Sequence, residues 1–210
     1  MIDRFFGPEA KARIEAAVRD AESRSQGQIV PVVVAKSAGY PEARYRGAFL
    51  GAALGTAAVL LLRLPLAPAE LLLVQAAGGL LGGLVALWDP VERLLAGRAE
   101  MELAARDRAL RAFAEHGLNR TQQGTGVLVF ASLFERRAVI LGDRGIDARM
   151  GDAEWRRAVD LLAAGMHRGD PAAGFSEAIA AVGARLAEHF PRAPGAPANE
   201  LPDALRAERE

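Results

Sequence analysis

The sequence contains no cysteine, few aromatic residues and no excess of charge of either sign. Without cysteine, disulfides, thiolate nucleophiles and sulfur-ligated metals are excluded. The 26 basic and 26 acidic side chains balance, and aromatic residues make up 6% of the chain. Nucleic-acid binding uses a basic surface with interleaved rings, so nucleic acid is not expected as a partner. The N-terminal residues, MIDRFFGPEAK, lack the apolar core of a signal peptide, so any membrane segment is expected inside the chain.

Two long uncharged runs interrupt a chain that is otherwise 25% charged. The first lies between Arg46 and Arg63, and the second between Glu70 and Asp89. Each has about the length that a helix needs to cross the hydrocarbon of a bilayer. The sequence between them, RLPLAPAE, contains two prolines and favours a turn between antiparallel helices. These features predict a transmembrane helical hairpin over residues 46–89; the alternative is a hairpin buried in a soluble core.

Glycines recur at a spacing of four residues in both runs, which places them on one face of each helix. Small residues at this spacing let membrane helices approach closely, whereas in a soluble helix each glycine costs about 1 kcal/mol. The pattern therefore predicts glycine contacts, either within the hairpin or between copies of the chain or with other membrane proteins. The glycines are Gly47, Gly51 and Gly55 in the first run and Gly78, Gly79, Gly82 and Gly83 in the second.

Charges beside the runs predict their orientation. Arginines flank the two ends that share a side, whereas the connecting turn carries one arginine and one glutamate. Because positive residues stay on the cytoplasmic side, the sequence predicts a multi-pass protein of the cell inner membrane with its soluble part in the cytoplasm. The flanking arginines are Arg44, Arg46, Arg93 and Arg98.

The residues outside the hairpin alternate helical and strand patterns. Apolar periodicity predicts helices from Pro8, over 91–116, over 152–169 and over 174–190. Continuous apolar runs predict strands at 28–35, 126–132 and 137–143, the last two paired as a β-hairpin. Pro31 lacks an N–H group and predicts either an edge position or a bulge for the first strand.

These elements predict an α/β fold, an α/β/α sandwich with a small mixed sheet that the transmembrane helical hairpin interrupts. Residues 1–45 and 90–190 would form the two parts of this one domain. The Pro- and Ala-rich residues 191–210 are predicted to be a disordered tail.

The stretch GTGVLVFASLFERRAVILGDRGI, residues 124–146, resembles the TPM domain family of thylakoid acid phosphatases, photosystem II repair factors and bacterial membrane proteins of unassigned role. The resemblance covers nearly everything outside the hairpin and the tail. It implies the sandwich fold and raises phosphatase activity as an alternative function. The residues that carry it are Gly126 to Leu128, Glu135 to Arg137, Gly142, Asp143, Gly145, Ile146, Trp155, Gly174, Ala178 and Ile179.

Three aspartates lie within ten residues of one another, where the third predicted strand passes into a helix. Asp143, Asp147 and Asp152 are a candidate site for Ca²⁺ or Mg²⁺, which prefer carboxylate oxygens. The alternative is a turn in which Asp152 caps the following helix and arginines neutralise the rest. His116, His167 and His189 fall at predicted helix ends and match no metal-binding spacing.

If the first two strands are parallel, the turn at Arg136 and Arg137 lies at the sheet edge from which the chain leaves for the hairpin. Together with Arg44, Arg46 and Arg93, these arginines are candidate contacts to anionic lipid headgroups. An ordinary β-hairpin turn with solvated arginines is the alternative.

The sequence thus predicts an integral membrane protein whose cytosolic TPM-like domain is a binding or assembly module for membrane complexes. The lipid bilayer, and other membrane proteins or a second copy, are its expected partners. The alternative is a divalent-metal-dependent phosphatase.

Overall fold

The computed structural model describes residues 2–121, 124–147, 149–192 and 201–208, apart from the side chain of Asp147. It divides into two compact units, which we call the sandwich unit, Met1–Ser37 with Glu102–Glu210, and the hairpin unit, Ala38–Met101. The helices are α1 Ile2–Phe5, α2 Pro8–Arg24, α3 Pro41–Leu61, α4 Pro68–Val85, α5 Asp89–Leu95, α6 Arg98–Glu115, α7 Arg144–Asp147, α8 Asp152–Arg168 and α9 Pro171–His189. The strands are β1 Gln28–Val34, β2 Gly126–Ser132, β3 Arg137–Gly142 and β4 Arg206–Glu208.

The sandwich unit is built on a mixed sheet in the order β3-β2-β1-β4, which confirms the predicted α/β fold and small mixed sheet. β1 and β2 run parallel with Ile29 opposite Val127, and β2 and β3 form the predicted antiparallel hairpin. Every residue of β1 and β2 is buried, as expected for central strands covered on both faces.

Alternate side chains of these strands enter two separate cores. Ile29, Val33 and Val129 belong to a core that also contains Ile14 and Val18 from α2 and residues of α8 and α9. The other face packs against α6 through the following residues: Val30, Val32, Val34, Leu128 and Phe130 on the sheet, with Ala109 and Ala112 on the helix. Helices on both faces make this unit an α/β/α sandwich.

The position of Pro31 differs from the prediction, because β1 is a central strand and not an edge strand. β4 pairs with β1 only from Val32 to Val34, so Pro31 lies just before this pairing begins. β4 also corrects the predicted disorder of residues 191–210, since Leu201–Glu208 are placed and Arg206–Glu208 form a strand. Residues 193–200 and 209–210 of that predicted tail lie outside the described residues.

Two predicted helix boundaries are also wrong. The helix predicted over 91–116 is two helices, because the backbone at Ala96 is extended (ψ 134°) and α6 starts again at Arg98. The Glu100 carboxylate accepts the Gly97 N–H at 3.1 Å, which satisfies a donor at this new helix start. α9 begins at Pro171, three residues earlier than predicted, because the Asp170 side chain caps it by accepting the Ala173 N–H at 2.9 Å.

In the hairpin unit, α3 and α4 pack against each other through their glycines. A Cβ atom added at Gly47 would lie 2.6 Å from the carbonyl oxygen of Gly82, and one at Gly78 would lie 2.5 Å from that of Gly51. Only hydrogen at these four Cα positions lets the two backbones approach this closely. These glycines therefore make contacts within one hairpin, which is one of the alternatives that the sequence left open.

A polar contact also joins the two helices. Gln75 Nε2 donates to Thr56 Oγ1 at 3.0 Å, and that hydroxyl donates to the Ala52 carbonyl at 3.0 Å. Over the described residues, α4 is the one helix that is long and apolar enough to cross a membrane by length and composition. α3 carries Arg44 and Arg46 near its start, and its crossing of a membrane remains a proposal.

Candidate functional site

The C-terminal ends of β1 and β2 lie at one edge of the sheet, because the two strands are parallel. The loop after β2 is tied to the residues that follow β1. Leu133 N–H donates to the Val34 carbonyl at 3.1 Å, and Phe134 N–H donates to the Ala35 carbonyl at 3.0 Å. The chain leaves the sandwich unit at this edge, at Ser37.

The side chain of Glu135 stabilises the same edge of the sheet through buried hydrogen bonds. Its side chain is buried, with 4% of the residue exposed. One carboxylate oxygen accepts the Ser37 N–H at 2.9 Å, and the other accepts the Ser132 hydroxyl. A buried carboxylate that accepts several hydrogen bonds organises a loop rigidly. Sequence analysis identified Glu135 as part of a motif but missed this bracing role.

The five arginines predicted to contact lipid are divided between the two units, two in the sandwich unit and three in the hairpin unit. Arg136 is exposed in the β2–β3 turn, in a left-handed backbone conformation (φ 53°). Arg137 lies 3.8 Å from the Glu102 carboxylate, at the position where the chain re-enters the sandwich unit. In the hairpin unit, Arg46 does not project freely, because its guanidinium contacts the Glu100 carboxylate at 2.5 Å. The remaining two, Arg44 and Arg93, are respectively exposed and half-buried in the hairpin unit.

The structure describes two of the three side chains of the predicted aspartate site, those of Asp143 and Asp152. Asp143 follows β3, and its Oδ1 accepts the Arg144 backbone N–H at 2.7 Å. Asp152 is exposed in the first turn of α8, and the side chain of Asp147 lies outside the described residues. Within the described part of the chain, no group of three acidic or histidine side chains is placed to hold a metal ion.

The alternative role of Asp152 as a helix cap is wrong. The N-cap residue of α8 is Gly151, and its N–H donates to the Glu154 carboxylate at 3.2 Å. Glu154 is thus the residue that satisfies the helix start. Asp152, one residue further on, still places negative charge at the positive end of the helix dipole.

Trp155, on α8, lies beside the end of β3 that precedes Asp143. A Cβ atom at Gly142, the last residue of β3, would come 2.7 Å from a ring carbon of Trp155. The indole therefore needs glycine at this strand end. Its Nε1 is buried and has no hydrogen-bond partner among the described residues. Trp155 packs α8 onto β3.

A charged cluster that sequence analysis missed joins β4 to the end of α6. Arg108 donates to Glu208 and, at 3.2 Å, to Glu115. His116 Nε2 lies 3.0 Å from the other oxygen of Glu208, and Arg206 donates to His116 Nδ1 at 2.7 Å. We call this group, Arg108, Glu115, His116, Arg206 and Glu208, the β4 cluster. The sequence gives no local signal for it, because its partners lie 90 to 100 residues apart.

These contacts require one tautomer of neutral His116. Nδ1 must accept from Arg206, so the ring proton lies on Nε2 and points to Glu208. Burial, followed by the charge of Arg206, lowers the pKa of His116 below its ordinary 6.5, although Glu208 and Glu115 oppose this shift. His167, by contrast, occupies the predicted helix-end position, with Nδ1 2.8 Å from the Ala163 carbonyl.

We expect the stability contributed by His116 to fall in mild acid. A group whose pKa is lowered in the folded state is protonated first in the unfolded state, so stability is full above 6.5 and is lost as the pH falls below it. Thermal unfolding of the wild type and of His116→Gln, compared from about pH 7.5 to about pH 5.5, measures this difference. The advantage of the wild type should shrink toward the acidic end. An advantage that is constant over this range would contradict the lowered pKa of His116.

Comparison with known proteins gives a family match to a part of the chain that lies mostly in the sandwich unit. Residues 94–185 match the model of the TPM domain (TPM_phosphatase). This TPM-like segment runs from the end of α5 into α9 and includes β2, β3 and α8.

One solved structure is similar in fold. The NMR structure of the BA42 protein from the psychrophilic bacterium Bizionia argentinensis superimposes with a TM-score of 0.63 at 19% sequence identity, over 99% of each chain. At this identity the similarity concerns the fold alone. No curated protein matches the sequence significantly.

Proposed function

We propose that the chain is an integral membrane protein that uses the α3–α4 hairpin as its anchor and carries its TPM-like domain as a binding or assembly module for membrane complexes. One observation carries the proposal: the large apolar side chains of the hairpin point outward. None of the residues of α4 is buried. The outward side chains include Phe49, Leu54, Leu60, Leu61, Leu72, Leu73, Leu80, Leu81 and Leu84, each more than half exposed.

The inward side of the hairpin supports the same proposal. Glycine contacts and the Gln75–Thr56 hydrogen bond occupy the helix interface, where membrane helices use small and polar residues. The outward leucines would remain in contact with water in a soluble protein, where apolar patches of this extent are rare. A bilayer removes them from water without a further protein partner.

Charge favours a cytoplasmic position for the TPM-like domain. Arg44, Arg46, Arg93 and Arg98 flank the ends of the hairpin at which the chain continues into the sandwich unit. Between the two helices lies Arg63, and Glu70 caps α4 by accepting the Ala67 N–H at 2.8 Å. The positive-inside rule then favours the inner membrane with both chain ends inside.

A binding role accords better than catalysis with the polar groups of the sandwich unit. Glu135 is engaged by Ser37 and Ser132, and the members of the β4 cluster are engaged by one another. These contacts shape loops and a strand edge. The phosphatase alternative rests on the resemblance to the TPM domain alone.

We expect the wild-type chain to stay in the membrane fraction after alkaline carbonate extraction, which releases peripheral proteins. Leu80→Lys should reduce the retained fraction, because a lysine near the centre of a transmembrane helix costs about 3 kcal/mol of insertion free energy. Leu80 is 68% exposed in α4. Fractionation and quantification of the retained protein provide the measurement.

Leu103→Lys is the matched control, because Leu103 is 63% exposed on α6 and lies in the sandwich unit. It makes the same chemical change outside the hairpin and should leave retention unchanged. Release of the wild type by carbonate, or equal retention of both lysine variants, would contradict the membrane anchor.

A further inference from the structure

Exposed tryptophan and tyrosine side chains lie at one end of the hairpin. The chain has two tryptophans and two tyrosines. Trp88, the residue before α5, is 67% exposed, and Tyr45, in α3, is 75% exposed. Tyr40 is buried and Trp155 is half-buried. The connecting turn at the other end of the hairpin, RLPLAPAE, contains no aromatic residue. The exposed rings therefore distinguish the end from which α5 continues.

The packing of the hairpin places these two rings at about the same level. A Cβ atom at Gly47 would lie 2.7 Å from the Cβ atom of Ala86, so these two residues are opposite each other. Because the helices of the hairpin are antiparallel, the residue two before Gly47 is about level with the residue two after Ala86. Those residues are Tyr45 and Trp88. Tryptophan and tyrosine together are typical of the boundary between hydrocarbon and headgroups, where the ring is in an apolar layer and its N–H or O–H group reaches polar atoms.

α5 begins at this level and carries an apolar side chain that points away from α3. The helix packs against α3. Glu92 is buried, whereas Leu94 is 82% exposed, because residues two apart on a helix point in nearly opposite directions. At a rise of about 1.5 Å per residue, Leu94 lies within about 9 Å of Trp88 along the chain. The headgroup layer on each side of the hydrocarbon is about 5–8 Å thick, so Leu94 is within its reach.

Hydrogen bonds fix the end of α5 to the start of α3. The Arg46 guanidinium donates to the Leu95 carbonyl at 2.6 Å and to the Glu100 carboxylate at 2.5 Å. Arg46 is the neighbour of Tyr45 in sequence, so Tyr45 and Leu94 are held next to residues that are bonded to each other. Because Glu100 neutralises Arg46, this corner of the hairpin unit gains little attraction to anionic lipid. Its exposed apolar and aromatic side chains favour contact with lipid of any headgroup charge.

We infer that α5, together with Tyr45 and Trp88, forms a surface that lies in the headgroup layer of the bilayer, with the Leu94 side chain against the acyl chains. The indole N–H and the phenol O–H donate there to the oxygens of lipid headgroups. Leu94 is removed from water by the outer part of the acyl chains. This surface sets the depth at which the hairpin rests in the bilayer. The inference rests on the proposed membrane anchor and adds the position of α5 and the lipid layer that it contacts.

The test uses the full chain in phosphatidylcholine vesicles and one spin label at a time. Because the chain has no native cysteine, Leu94→Cys and Leu80→Cys each give a single labelling position, and both replace exposed side chains. Collision of the label with oxygen, which concentrates in hydrocarbon, compared with collision with a water-soluble nickel complex, measures its depth. We expect the Leu94→Cys label to lie about 5–10 Å into the boundary between headgroups and acyl chains. The Leu80→Cys label should lie about 12 Å deeper than the level of Trp88.

Leu80→Cys separates this inference from the membrane anchor. If the Leu80→Cys label is shielded from the nickel complex while the Leu94→Cys label is as accessible as a label in water, the inference is overturned and the anchor stands. If the Leu80→Cys label is itself open to water, the anchor fails and the inference fails with it.

The role of the two rings is tested by Tyr45→Ser combined with Trp88→Ser, which replace exposed side chains. These changes should move the Leu94→Cys label toward water and leave the Leu80→Cys label shielded. An unchanged depth of the Leu94→Cys label would overturn the assignment of Tyr45 and Trp88 to the headgroup layer.

Discussion

Gly51→Ala should force α3 and α4 apart and destabilise the hairpin by about 1–3 kcal/mol, as overpacking of a close interface does. A Cβ atom at Gly51 would overlap the carbonyl of Gly78, and one at Gly78 would lie 2.5 Å from the carbonyl of Gly51. The neighbours are backbone atoms, so no side chain can rotate away. The helix itself must move, which also breaks the Gln75–Thr56 bond. The loss should exceed the gain of about 1 kcal/mol in helix propensity from glycine to alanine.

Thermal unfolding in detergent, followed by circular dichroism, measures the loss of stability. The absence of native cysteine allows one spin label on each helix, at Leu60→Cys and Leu72→Cys, both of which replace exposed side chains. The distance between the labels should lengthen in Gly51→Ala.

Gly79→Ala serves as the control for Gly51→Ala, because its Cβ would meet Ala48 and Ala52 of α3 at 3.4 and 3.8 Å, which is ordinary contact. That variant should keep the wild-type label distance and gain stability from helix propensity. If the two alanine variants unfold alike, the glycine interface is not what holds the helices together.

Local patterns were enough to predict most of the sandwich unit. β2 was predicted at its observed bounds, because a continuous apolar run between turn residues is typical of a strand covered on both faces. The last helix was predicted from its apolar periodicity, and Phe175, Ile179, Val182 and Leu186, spaced three or four residues apart, are all buried. In each case the residues that determine the element are neighbours in sequence.

Features that depend on distant partners could not be predicted in this way. β4 has the composition of a polar tail, and its position depends on Arg108 and His116, which precede it by about ninety residues or more. The break before α6 depends on the Glu100 carboxylate turning back to Gly97. The candidate-site predictions divide in the same way, between features set by neighbouring residues and features set by distant partners. Glu135 and Arg136 lie in the predicted turn between β2 and β3, whereas the bond from the Ser37 N–H to Glu135, 98 residues apart, could not be predicted from local sequence.

Gly165→Ala should destabilise the sandwich unit by about 3 kcal/mol, because α8 and α9 cross at this residue with their backbones in contact. A Cβ atom there would lie 2.6 Å from Gly174 N and 3.0 Å from the carbonyl oxygen of Asp170. Separation of the two helices would also loosen the core contacts of Leu162 and Phe175, both fully buried. For a chain of this size we expect the unfolding temperature to fall by roughly 6–12 °C.

Trp155 on α8 can report this transition alone if the second tryptophan, Trp88, is replaced by phenylalanine in every variant. Gly151→Ala is the control, because a Cβ at Gly151 would meet no atom within 4 Å and its φ of −77° suits any residue. The change at this N-cap should cost less than about 1 kcal/mol. A fall in unfolding temperature that is the same for Gly151→Ala and Gly165→Ala would mean that α8 and α9 can separate at little cost, which the buried backbone contact at Gly174 does not allow.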